Sequence, residues 1–204
     1  NPNQRPVLPT KHLNRGLFSD YYLDEIVPTS NEFQSNTLFA SVKTIRDTLL
    51  ARLDNLTPEE LDEAQLEDRW IKPVLEVLGH HWSVQVKIRY REKGFRKPDY
   101  AFADTPETAN ALRNEIYTPD MLQDVLAIGD AKKWGVRLDQ SSGRDERNPS
   151  QQIDEYLRYS EVTWGILTDG RYWRLYERST SKDNTFYAVD LESLLRYGEV
   201  EDFY

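Results

Sequence analysis

The sequence predicts an α/β (α+β) fold in which a mixed central β-sheet is flanked by helices. Two amphipathic helical stretches open the globular part, with apolar residues returning at helical spacing. Short alternating or continuous apolar runs follow, bounded by Gly, Pro, Asn and Asp. Further helical stretches interrupt and close that series, giving the order α-α-β-β-(α)-β-α-β-β-β-α. A chain of 204 residues suits one domain of ordinary size.

Residues 1–30 read as an extended N-terminal arm, held open by Pro2, Pro6, Pro9 and Pro28. A short helical turn is expected within its "LFSDYYLDEIV". Residues 31–204 form the domain. Phe33, Leu38, Val42, Ile45, Leu49 and Leu53 recur at helical spacing, predicting a long amphipathic helix capped by Ser30. In "TPEE", Thr57 and Glu60 make a capping-box pattern, with Pro58 at the first helical position. That second helix should run to about Leu78, kink near Pro73 and stop at Gly79. Its apolar arc holds Trp70, Ile71, Val74, Leu75 and Leu78. At about 100° per residue, Glu63 and Glu67 project into the same arc, which is odd for a solvated face.

"WSVQVKIRY" alternates and predicts one strand with a single buried face. "REKG" is a hairpin turn and "KPDYAFAD" the returning strand, with Tyr100 and Phe102 on one face and Asp99 and Ala101 on the other. Residues 105–123 read as an inserted helix and loop. "DVLAIGDAKKW" is nearly apolar up to Gly129, so it should be a central strand. Residues 135–150 read as a mobile loop. Asn148 and Pro149 then open a helix over "NPSQQIDEYLRYS". "EVTWGILTDGRYWRLYER" is a strand, a turn at Asp169 and Gly170, and a strand; "TFYAVDLESLLRYG" is a last strand and helix.

The chain has no cysteine, which excludes disulfides, thiolate zinc sites and thiol catalysis. That fits a reducing compartment, and a cytoplasmic location is expected. No apolar run is long enough to cross a bilayer, which needs about 20 residues. The first residues are polar, lack a signal-like apolar centre and do not begin with Met, which implies processing or a longer parent. The net charge of −9 argues against a general nucleic-acid binder. Its distribution answers part of that objection. "VKIRYREKGFRK" gathers six basic residues against one Glu just before Asp99, while acids gather in "PEELDEAQLED". Such a basic hairpin can seat a phosphate backbone.

"AIGDAKKWG" carries charge out of an apolar strand. Burying unpaired charge costs several kcal/mol, on the order of the penalties known for lone ions. Asp130 and Lys132 are two apart, so they leave the strand on one face. If the strand of Asp99 lies alongside, two carboxylates and an amine converge. Carboxylates that close repel, and a hard divalent cation relieves this. Such an ion polarises a phosphodiester and lowers the pKa of its water. Lys132 would then orient the water or offset charge on the phosphate. The carbonyl of Ala131 would point into the same site as a further ligand. His80 and His81 are adjacent, and on a strand they would face opposite ways, so they read as cap or solvent residues. Lys133 reads as a solvated neighbour.

"PDY" at Pro98 followed by "DAK" at Asp130 resembles the PD-(D/E)xK nuclease superfamily. The resemblance implies a restriction-endonuclease-like core in which Asp99 and Asp130 bind metal and Lys132 assists attack by water. "EAQLEDRWIKPVLEVLG" is similar to the first helix of such domains, which adds an acidic ligand. Spacing to Gly79 gives Glu63; Glu67, nearer the centre of the apolar arc, stays open on geometry. "QIDEY" is similar to the Gln-x-x-x-Tyr helix motif of several of these nucleases, which would place Gln152 and Tyr156 at the site. "LNRGLFSDYYLDEIV" resembles the start of Type IIG restriction-modification enzymes, which fuse nuclease, adenine methyltransferase and target-recognition modules. No methyltransferase signature occurs in this chain.

The resemblance therefore implies a metal-dependent endodeoxyribonuclease module for phage defence. It would use Mg²⁺, or Mn²⁺ in its place, on double-stranded DNA. Its expected partners are methyltransferase and target-recognition modules of the same parent chain. One such site cuts one strand, so a double-strand break needs a homodimer or a second event. Other readings are a catalytically silent DNA-binding or assembly module of the same fold, and a repair or recombination nuclease. Convergence of Asp99, Asp130 and Lys132 discriminates against the silent module.

Overall fold

The computed structural model describes residues 12–31, 36–92, 94–112, 115–141 and 148–198. A seven-stranded mixed sheet forms the centre. Its strands are β1 (His12–Arg15), β2 (His81–Val84), β5 (Tyr100–Ala103), β7 (Val125–Ala131), β8 (Trp164–Thr168), β9 (Tyr172–Glu177) and β10 (Phe186–Asp190). Their spatial order is β1-β10-β9-β8-β7-β5-β2. A smaller sheet holds β3 (Lys87–Tyr90), β4 (Gly94–Arg96) and β6 (Ile116–Tyr117) in the order β4-β3-β6. Among the described residues, no helix is long and apolar enough to cross a membrane.

The β7–β8 pair is parallel, and the other pairs of the large sheet are antiparallel. A parallel pair needs a crossover. Helix α5 (Pro149–Ser160) supplies it, opened by the Asn148 side chain, which accepts the Ser150 N–H. The strand β7 is apolar because it is covered on both faces. Ile128 packs into a core with Val86, Ile88, Ile153 and Leu157 beneath α5 and the small sheet. Ala127 and Ala131 face the other core, built with Leu49, Trp70, Val74, Tyr100 and Leu195. That second layer is α1 (Asn36–Asp54), α2 (Glu63–Leu66), α3 (Lys72–Val77) and α6 (Leu191–Tyr197). Each fully buried Leu or Ile contributes about 1.5–3 kcal/mol.

Helix α5 lies close to β8 because position 165 is glycine. A Cβ there would come within 2.9 Å of Leu157 and 3.0 Å of Ile153. The turn after β8 is also fixed. Gly170 takes φ +82°, and its carbonyl accepts the indole N–H of Trp70 at 2.7 Å and of Trp173 at 3.2 Å.

The sequence expectations need several corrections. The first helix is described from Asn36 onward; residues 32–35, between it and its expected cap at Ser30, lie outside the described residues. Ser30 ends the 3₁₀ turn Val27–Thr29, where its N–H meets the Val27 carbonyl and its backbone is extended. Phe33 lies outside the described residues. Thr57 makes no side-chain cap, because Pro58–Glu60 is a 3₁₀ turn and buried Leu61 is extended. The capping box sits one turn later. Asp62 accepts the Gln65 N–H at 2.8 Å and Gln65 accepts the Asp62 N–H at 3.1 Å.

The second helix is irregular just before Pro73, where a kink is expected. A π-helical turn, Glu67–Ile71, separates α2 from α3. A proline ring crowds the carbonyl four residues back and cannot donate to it. That carbonyl is Arg69's, and it accepts Arg52 Nη1 at 3.4 Å. Gly79 ends the helix at φ +80°, as expected.

"WSVQVKIRY" is two strands. Gln85 has φ +56°, and its N–H meets the Asp99 carbonyl at 3.1 Å. The chain leaves the large sheet there and re-enters the small one. The segment expected as helix and loop holds α4 (Pro106–Ala111), and also β6. Residues 142–147 of the expected mobile loop lie outside the described residues. The part before them is pinned, with Leu138 buried and Asp139 ion-paired to Arg174. Part of the arm belongs to the large sheet, since β1 pairs with β10.

Candidate active site

The register of β5 and β7 pairs Tyr100 with Gly129 and Ala101 with Ile128. Continuing it by one residue sets Asp99 opposite Asp130. Directly opposed residues in an antiparallel pair share a face. Asp99 Oδ2 also accepts the Ala131 N–H at 2.8 Å, which fixes the first acid to the backbone of the second strand. Lys132 continues the face of Asp130, and its Nζ lies 2.5 Å from Asp130 Oδ2. The Lys132 N–H bonds the Thr168 carbonyl, holding that end of β7 against β8.

Asp130 is 2% exposed. Its Oδ2 is ion-paired to the Lys132 ammonium and has no further partner among the described residues. Burial raises the Asp130 carboxyl, Lys132 opposes that, and Asp99 adds to the rise, so the net shift is upward, to about 7. Burial works against the Lys132 ammonium, but Asp130 beside it outweighs this and holds its pKa above the usual lysine value. Lys132 is therefore a cation at neutral pH and serves as a donor rather than a base.

The two helix acids approach from the other side of the sheet. Glu67 accepts the Tyr100 hydroxyl at 2.6 Å. Burial raises the Glu67 carboxyl, the Tyr100 hydrogen bond opposes this, and the Asp99 and Glu63 charges reinforce it. Glu63 acts on Lys132 as well, helping to keep the ammonium charged. The structure thus brings both acids into the field of the site: Glu67 held by Tyr100, Glu63 toward Lys132. Ala131 meets the pair through its N–H.

On the opposite face, Gln152 Nε2 donates to the Tyr156 hydroxyl at 2.6 Å along one turn of α5. Burial raises the Tyr156 pKa first; the nearby Asp130 and Asp99 charges raise it further. Its phenol stays protonated beside the acids. The sequence reading missed two residues that hold this arrangement. Tyr100 holds Glu67; alternation placed Tyr100 with Phe102 on one face but could not name its partner. Arg96 forms a two-nitrogen ion pair with Glu155, next to Tyr156, at 3.2 and 3.3 Å.

Among the described residues, no three His, Cys, Asp or Glu side chains form a metal-binding group. Mg²⁺ asks for less. It is commonly held by one or two carboxylates, with water and phosphate completing the shell. Facing acids, one of them buried, fit that donor set. No family model, curated protein or solved structure matches this chain.

Proposed function

We propose that this chain is a Mg²⁺-dependent DNA endonuclease domain of PD-(D/E)xK type, the cleavage module of a restriction-modification enzyme acting on double-stranded DNA. One observation carries the reading: Asp99, just before β5, bonds the Ala131 N–H beside Asp130, with Lys132 against Asp130. The run β2, β5, β7, α5 and β8, antiparallel and then parallel, supports a restriction-endonuclease-like core.

Asp99 and Asp130 would hold the ion, with Glu63 and the Ala131 carbonyl as further oxygen donors, and Mn²⁺ able to replace Mg²⁺. Bound there, the ion supplies Lewis-acid polarisation of the phosphodiester and acidifies a water. Lys132, charged at neutral pH, offsets negative charge on the phosphate as the P–O bond breaks. Gln152 orients the Tyr156 hydroxyl, which contacts the phosphate backbone. One site cuts one strand, so double-strand cleavage requires a second copy or a second event.

The test is nicking of supercoiled plasmid by the chain in Mg²⁺, in EDTA, and by Asp130→Ala in Mg²⁺. Nicking confined to the first condition is expected. Equal nicking by the variant overturns the assignment. A folded wild-type chain that binds DNA but never nicks it would be the silent module.

A further inference from the structure

We infer that the outer face of the three-stranded sheet is the surface along which a duplex DNA backbone lies as it enters the site. This deepens the endonuclease reading and rests on it. The sheet has two unlike faces. Ile88 and Tyr90 point inward, Ile88 into the core and Tyr90 against Tyr159 of α5. Arg96 joins them, stacked 3.4 Å over the Tyr90 ring and ion-paired to Glu155. Its charge is spent inside the protein.

Lys87 and Arg89 alternate with those residues and face outward. The register sets Arg89 opposite Phe95 and Lys87 beside Ile116. The Lys87 ammonium lies 5.3 Å from the Phe95 ring centre. Phe95 is 44% exposed and Ile116 36%. Among the described residues, Lys87, Arg89, Arg91 and Lys97 form no ion pair. Through Lys87 and Arg89 the face therefore offers unneutralised cations around an exposed aromatic ring, on a chain of net charge −9, while Arg91 lies over the Tyr90 ring. Elsewhere several arginines are matched to acids, as in Arg171–Asp190, Arg174–Asp139 and Arg196–Asp54. Free cations with an apolar ring complement a phosphate backbone and its sugars or bases.

Position selects DNA running toward the acids. Phe95 lies four residues before Asp99, so extended chain separates them by at most about 14 Å. The Arg96–Glu155 pair fastens the sheet to α5 next to Tyr156. A strand lying on this face and a phosphate at Asp99 would belong to one continuous footprint.

The test is fluorescence anisotropy of a labelled DNA duplex with the full chain, in EDTA so that no bond is cut, across a salt series. The variants are Lys87→Gln with Arg89→Gln, Phe95→Ala, and Lys182→Gln as a remote control; circular dichroism checks that each is folded. The double variant should bind more weakly and flatten the slope of log K against log salt by about 1.8, for two lost phosphate contacts. Phe95→Ala should weaken binding with the slope unchanged, and the control should match wild type. A folded double variant with wild-type affinity and slope overturns the surface. So does heparin competing as well as unlabelled duplex, which would show a polyanion site without preference for DNA. If wild type nicks plasmid while the double variant binds normally, the surface fails and the endonuclease reading stands. If DNA binds through this face and is never cut, the surface stands and the endonuclease reading fails.

Discussion

The Asp99 carboxylate accepts the Ala131 N–H at 2.8 Å, so the acid of one strand is tied to the backbone of the next. This bond brings a second carboxylate up to buried Asp130, where repulsion would otherwise push it away. The arrangement is electrostatically costly unless a proton or a cation sits between the acids.

Metal and pH should therefore be linked through Asp130. Its folded carboxyl titrates at about 7, against about 3.9 in an unfolded chain. Between those values the folded state keeps a proton that the unfolded state has lost, so metal-free stability falls as pH rises through the window. Mg²⁺ should raise the melting temperature most above the folded value, where the carboxylate is ionised. Asp130→Asn should remove both the slope and the Mg²⁺ gain. Melting curves in EDTA and in Mg²⁺ across pH decide this; a gain independent of pH contradicts it.

The acid limb should come from other carboxylates. The Arg174 hydrogen bond holds Asp139 below the usual range despite partial burial. Burial opposes ionisation of Asp190, but Arg171 and the α6 N-terminal bonds outweigh it and lower its pKa. Both contributions are present above the unfolded value of about 3.9 and are lost as pH drops through the lowered folded values. Arg171→Ala would leave Asp190, fully buried, without its counter-ion, at a cost of about 3–5 kcal/mol. Urea unfolding at neutral pH measures that cost, and a loss below 1 kcal/mol, about the size of a surface pair, would contradict it.

The helix acids should separate by function. Tyr100→Phe removes the donor to Glu67 and should cost about 1 kcal/mol of stability. Glu63→Gln withdraws one of the oxygen donors proposed for the ion, and should slow nicking by about 10-fold or more. Parallel melting and nicking assays check the division. A Glu63→Gln protein with full activity would shift the role to Glu67.

Packing beneath α5 should be intolerant of volume. Gly165→Val places atoms where Leu157 and Ile153 already sit, and should destabilise by about 1–3 kcal/mol. Denaturant midpoints read this directly, and an unchanged midpoint would mean that the helix can retreat.

The sequence made some of this plain and hid the rest for physical reasons. Two-residue periodicity was enough to set Asp130 and Lys132 on one face, and the apolar run before them marked β7 as internal. Asn148-Pro149 announced α5, and Asp169-Gly170 announced the turn after β8. The break at Gln85 was invisible, because Val84, Val86 and Ile88 keep alternating through it while only the backbone reverses. Two capping patterns competed at the second helix, and burial of Leu61 decided for Asp62 over Thr57. The Tyr100–Glu67 and Arg96–Glu155 bonds join residues 33 and 59 apart, beyond the reach of any local pattern.

Three of the five tryptophans meet at the turn after β8. Trp70 and Trp173 both donate to the Gly170 carbonyl, and a Cβ at Gly170 would touch Trp134 at 3.1 Å. Trp134 follows Lys132 by two residues, so one indole of this group is joined to the proposed site by a short stretch of chain. Its ultraviolet emission should respond when ions or strands arrive nearby. The chain thus carries an optical reporter of occupancy that requires no label.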